Sequence, residues 1–176
     1  MQTQTKLTLR NFNPQNPLKI CFVCLGNICR SPTAEGVFQH IINREGLSLY
    51  AEVDSAGTAA YHVGEPANSK SIMVAEQNGV KLLSKARKFE YTDLEYFDLI
   101  IAMDHSNYHD LQALDRHKKF HKKIFLLREF DSFPGDKNIP DPYYGGLNGF
   151  ELVYEMVLRS CEQLFKQIQP FISDRM

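Results

Sequence analysis

The residues with the clearest chemical potential are Cys24 and Arg30, with Leu25, Gly26, Asn27, Ile28 and Cys29 between them and Ser31 and Pro32 after. A cysteine thiolate is a strong nucleophile at neutral pH. An arginine fork binds two oxygens of one phosphate. Gly26 and Asn27 suit the backbone angles of a small loop, whose N–H groups, with the first turn of a following helix, can hold an anion. The same groups favour the Cys24 thiolate. Ser31 can donate a hydrogen bond to the sulfur and help it leave in a second step. A thiolate attacking a phosphate ester also needs a proton donor for the leaving oxygen. Asp141 is the candidate, stiffened between Pro140 and Pro142 and followed by Tyr143 and Tyr144, which can line a pocket for an aromatic ring. Taken singly, each residue has a plainer role: Cys24 as a small buried residue, Asp141 in a surface Asp-Pro turn.

The flanking elements decide for Cys24. An apolar run over 18–23 reads as a buried strand ending at the thiol, and Pro32 opens a helix whose core face is Ala34, Val37, Phe38, Ile41 and Ile42. A strand is expected over 51–55, with a turn at 56–58. A helix is expected to open at Glu65-Pro66-Ala67 and to stop at Gly79. Residues 97–103 and 123–127 read as buried parallel strands, with a helix capped by Asp104 running between them to about Arg116. Residues 128–146 carry Pro134, Gly135, Pro140 and Pro142, among other breakers, and read as a loop. A long amphipathic helix closes the chain over 147–171. This alternation predicts an α/β fold: a four-stranded parallel sheet with helices on both faces. The phosphate-binding loop then lies between the first strand and the first helix, beyond the carboxyl ends of the strands. Residues 1–17, with Pro14 and Pro17, read as an N-terminal arm, flexible or adding an edge strand over 5–9. Residues 18–176 read as a single domain.

Length and composition exclude several classes. A chain of 176 residues with 43% hydrophobic and 23% charged residues can bury a core without staples. A formal net charge of -1 argues against nucleic acid or a membrane as partner. No run approaches membrane-span length and the first residues lack the apolar core of a signal peptide, so a cytoplasmic location is expected. Four cysteines are too few for a disulfide scaffold. Cys29 reads either as an oxidation partner for Cys24 or as plain packing, and Cys161 as core. His105 and His109, like His117 and His121, have metal-ligand spacing but no accompanying ligands, so no metal is expected. The basic run over 117–123 reads as a solvated connection.

The sequence resembles the low molecular weight protein tyrosine phosphatases from about Leu18 to the C-terminus. The resemblance rests on residues 23–32, on Asp54-Ser55-Ala56-Gly57-Thr58, on Met103-Asp104 and on Asp141-Pro142-Tyr143-Tyr144. It implies hydrolysis of phosphotyrosine in proteins through a phosphocysteine on Cys24, with Arg30 as phosphate clamp and Asp141 as acid, then base. It implies that Leu25 to Ser31 bind the phosphate, that Asn27 and Ser55 brace the loop, and that Tyr61 joins Tyr143 and Tyr144 against the substrate. It implies phosphotyrosine-containing proteins as partners, a monomer, and no cofactor. Ser84 stands where family members often have His, a departure outside the Cys24–Arg30–Asp141 trio. Two enzymes of the same fold are alternatives. Arsenate reductases need further cysteines, absent here between Cys29 and Cys161, and protein arginine phosphatases tend to have Thr at the Ile28 position. A non-catalytic phosphate-binding module would be expected to lack Cys24 or Asp141.

Overall fold

The architecture follows from where apolar residues repeat every second position and where every third or fourth. A computed structural model describes residues 5–172 of the chain; residues 1–4 of the arm and 173–176 lie outside the described residues. Four strands, β1 (Leu18–Cys24), β2 (Ala51–Gly57), β3 (Leu99–Ala102) and β4 (Ile124–Leu126), form one sheet in the order β2-β1-β3-β4. Every pairing is parallel. The connections carry α1 (Arg30–Arg44), α2 (Ser69–Gln77), α3 (Tyr91–Tyr96) and α4 (His105–Leu114), and α5 (Leu147–Ile172) follows the last strand.

β1 is central and both its faces are buried. Leu18, Ile20, Phe22 and Cys24 join the core formed with α1, α2 and α5, while Cys21 and Val23 join the one formed with α3 and α4. The period of two puts Cys24 on the α1 side. Strand order reverses at β1, since β2 lies on one side and β3 on the other. Such a switch leaves a crevice at the carboxyl end of the strand, where Cys24 is the last residue of β1.

Several expected boundaries move. Helix α2 starts at Ser69 rather than at Glu65, because Asn68 is the cap and accepts the Lys70 N–H at 2.9 Å. Pro66 instead bridges to Lys85. β2 continues through Gly57, paired with Cys24, so no turn opens at Ala56. α4 stops at Leu114 because the buried Asp115 carboxylate turns the chain by accepting the Lys119 and Phe120 N–H groups. The sequence reading holds no helix at α3; Asp93 starts it by accepting the Glu90 N–H on Oδ2 at 2.7 Å. No strand forms over 5–9. The arm lies against α5, with the Leu7 N–H on Gln167 Oε1 at 2.9 Å and the Phe12 N–H on the Phe171 carbonyl at 2.8 Å.

Candidate active site

The loop from Leu25 to Cys29 is short because β1 and α1 are only five residues apart. Asn27 makes the turn in the left-handed region, at φ 57°. The loop's carbonyls are taken from outside: Thr58 N–H donates to the Cys24 carbonyl, Ala59 to Leu25 and Asn68 to Ile28. The first turn of α1 has no side-chain cap, so its free N–H groups suit an anion.

Asn27 is fully committed. Its Nδ2 donates to Ser31 Oγ at 2.8 Å and to Ser55 Oγ at 2.9 Å, and its Oδ1 accepts the Arg87 N–H at 3.1 Å. Ser31 Oγ therefore receives one proton and has its own to give. Cys24 Sγ lies 3.0 Å away, against 3.5 Å for the Ala56 carbonyl. The Ser31 hydroxyl is thus within hydrogen-bond reach of both the sulfur and the Ala56 carbonyl. Ser55, like Ser31, is buried.

Arg30 is 2% exposed yet oriented at one edge, where Nη1 donates to Asp104 Oδ2 at 2.5 Å and to the Ile139 carbonyl at 3.0 Å. Nη2 lies 3.6 Å from Asp141 Oδ2. Burial opposes the guanidinium charge, but the negative charges of Cys24, Asp104 and Asp141 outweigh it and raise its pKa. Asp141 is fixed in turn by accepting the Tyr143 N–H at 3.1 Å, and its side chain is half-exposed.

A cavity of about 330 Å³ is lined by Cys24, Leu25, Gly26, Ile28, Cys29, Arg30, Tyr61, His62, Asp141, Tyr143 and Tyr144. It brings together thiol, guanidinium, carboxyl and all three expected tyrosines. Asn27, Ser31 and Ser55 stand behind it. The tyrosines form a rim rather than a closed slot: Tyr61 is 75% exposed and Tyr144 96%. Cys29 is buried and in no disulfide, its thiol pushed up to about 12 by burial and then by Cys24 and Asp141.

Two residues escape sequence reasoning. Asp104, read as a cap, does cap α4 through Oδ1 on the Asn107 N–H, but its other oxygen holds Arg30. His62 lines the cavity, with its ring 5.8 Å from that of Tyr143 and its Nδ1 2.7 Å from Glu65 Oε2. No signal in the sequence marks a lone loop histidine.

Residues 19–171 match the family model described as low molecular weight phosphotyrosine protein phosphatase. A Streptomyces coelicolor low molecular weight protein-tyrosine-phosphatase is 38% identical over 159 residues, covering 89% of this chain and 97% of the relative. The crystal structure of a protein tyrosine phosphatase from Entamoeba histolytica, with Hepes in the active site, superposes with a TM-score of 0.82 at 40% identity, covering 87% of this chain and 97% of that one. The structure of a Drosophila arginine phosphatase superposes with a TM-score of 0.80 at 34% identity, covering 89% and 99%.

Proposed function

The chain belongs to the low molecular weight phosphotyrosine protein phosphatase family, and on that premise we propose how its residues divide the reaction. Cys24 Sγ attacks phosphorus and forms the phosphocysteine as the bond to the phenolic oxygen breaks. Asp141 gives its proton to that oxygen. Arg30 and the N–H groups of residues 25–31 hold the non-bridging oxygens, where charge accumulates. Water then attacks the phosphocysteine, Asp141 takes its proton, and Ser31 stabilises the departing Cys24 thiolate. Asn27 and Ser55 keep the loop in shape. Tyr61, Tyr143 and Tyr144 line the substrate's ring. The substrates are phosphotyrosine-containing proteins, met by a monomer in the cytoplasm, where four unpaired cysteines are at home.

The observation that carries this reading is the convergence of the Ser31-bonded thiol, the buried Arg30 and Asp141 on one cavity. Its test is Cys24→Ser. Turnover of a phosphotyrosine peptide should vanish, while inorganic phosphate still binds because Arg30 and the loop remain. Full activity in that variant would end the mechanism. The wild type should prefer phosphotyrosine over phosphoserine and phosphoarginine peptides. The likeness to an arginine phosphatase makes the last arm informative, since faster loss of phosphate from arginine would overturn the substrate and leave the nucleophile standing.

A further inference from the structure

The segment between β4 and Asp141 folds around one buried guanidinium that the reaction does not use. Arg128 donates through Nη1 to the Asn138 carbonyl at 3.0 Å, through Nη2 to the Phe133 carbonyl at 2.5 Å and through Nε to Asp131 Oδ2 at 3.2 Å. Asp131, also buried, is held in turn by Arg159 of α5, with Nε on Oδ1 at 2.6 Å and Nη2 on Oδ2 at 2.9 Å. Burial opposes the Asp131 charge, but Arg159, the Phe133 N–H and Arg128 outweigh it and hold the carboxyl below its ordinary pKa. The turn so anchored ends in Asn138, which stands between the two oxygens that hold Arg30. Its Oδ1 accepts the N–H of His105, the residue after Asp104, at 2.9 Å. Its carbonyl is the one on Arg128, and the next carbonyl along, that of Ile139, receives Arg30 Nη1 at 3.0 Å. The Ile139 N–H donates to the carbonyl of Met103, the residue before Asp104, at 2.9 Å. Both chain neighbours of Asp104 are thus bonded to residues 138 and 139.

We infer that Arg128 is a positioning residue for the phosphate clamp: by fixing Asn138 it sets the spacing of the Asp104 carboxylate and the Ile139 carbonyl, and so the direction in which Arg30 presents its fork to an oxyanion. The inference rests on Arg30 being that clamp. Both oxygens meet the same nitrogen, Nη1, so their separation sets the guanidinium plane, and a shift in either one turns the rest of the fork. A planar fork pairs with two oxygens of one anion only when it lies in their plane. Asp131 and Arg159 fix Arg128 itself, which ties the clamp to the middle of α5. A cluster that only fastened the turn to α5 would stabilise the fold and leave the aim of Arg30 unchanged.

Sulfate is the probe, since it is a dianion at neutral pH, and Cys24→Ser is the background, so that no thiolate repels it. NMR titration reads its Kd into the millimolar range. Adding Arg128→Met, which leaves Asp131 paired with Arg159, should raise the sulfate Kd by about tenfold, within the ordinary range of coupling between sites. Circular dichroism checks the fold, and Arg128→Lys, which keeps a charge against Asp131 but not the fork, takes its place if Arg128→Met does not fold. Asn138→Ala should weaken sulfate by a similar factor, and Asn138→Asp, which keeps an oxygen for the His105 N–H, should restore most of the affinity. With Arg30→Lys added to the background, no fork remains to be aimed, and the Arg128 substitution should then change the Kd by less than about twofold. An equal loss with and without the Arg30 fork, or parent affinity in the folded Arg128 variant or in Asn138→Ala, would overturn the role of Arg128. No sulfate binding in the parent, or a Kd that Arg30→Lys leaves unchanged, would instead overturn Arg30 as the clamp.

Discussion

Asp104 does two things with two oxygens. Oδ1 caps α4 and Oδ2 fixes Arg30, which among the described residues is otherwise held by the Ile139 carbonyl and the more distant Asp141. Asn in its place keeps a carbonyl for the cap but loses the charge on the guanidinium. Asp104→Asn should therefore cost little stability, under about 1 kcal/mol, while the KM for an aryl phosphate rises about tenfold, or about 1.4 kcal/mol of binding. Steady-state kinetics beside urea denaturation separates the two effects, and an unchanged KM would show that Arg30 needs no orienting partner. The case also marks what the sequence makes legible at this scale. Cys24, Ser31 and Arg30 are readable because strand, loop and helix meet within a few residues and their chemistry is local. The grip of Asp104 on Arg30 spans 74 positions, and no spacing rule reaches that far. His62 is illegible for the same reason, since its place depends on how its loop packs over Gly26, 3.0 Å from where a Cβ would stand.

At the scale of elements, the end of β2 presses on the loop more closely than any turn at Ala56 would. A Cβ on Gly57 would stand 2.7 Å from the Leu25 carbonyl oxygen, 3.0 Å from that of Ala59 and 3.2 Å from the Asn27 nitrogen. All three are backbone atoms and cannot swing aside. Gly57→Ala should push the phosphate-binding loop off β2. The expected stability loss is about 1–3 kcal/mol, as for overpacking elsewhere, and kcat/KM should fall by about tenfold or more because Leu25 and Asn27 themselves must shift. Stability loss with full activity would mean that the strain is absorbed in β2 alone. The buried strands were legible as apolar runs, and their alternation with helices fixed the class of fold. The six-residue α3 was not, since it is shorter than two turns and buries only Leu94. Its first turn is closed by Asp93 Oδ2 on the Glu90 N–H, and helical periodicity needs more length to register.

At the scale of the whole molecule, α5 links the two ends. It begins shortly after Asp141 and runs 26 residues, roughly 39 Å at 1.5 Å per residue, to the segment that receives the arm. Polar composition and two prolines make that arm read as loose. Yet Leu7 and Phe12 are both buried in the α1–α5 core, and Phe12 is 5% exposed. Phe12→Ala removes a ring from this contact and leaves the backbone bond to Phe171 in place. The expected cost is about 3 kcal/mol, which for a chain of this size lowers Tm by about 6–12 °C. The arm enters β1 at Leu18, opposite the end that carries Cys24, a separation of roughly 20 Å at about 3.3 Å per residue. No described residue of the arm lines the cavity, and α2 packs on the near end of α5 independently, with Lys70 Nζ over the Phe150 ring. Thermal melts should therefore shift while kcat/KM at 25 °C stays at the wild-type value. A parallel fall in kcat/KM well below Tm would mean that α5 carries the loss at its far end through to the Asp141 loop, making the arm part of the catalytic unit rather than a clamp on its core.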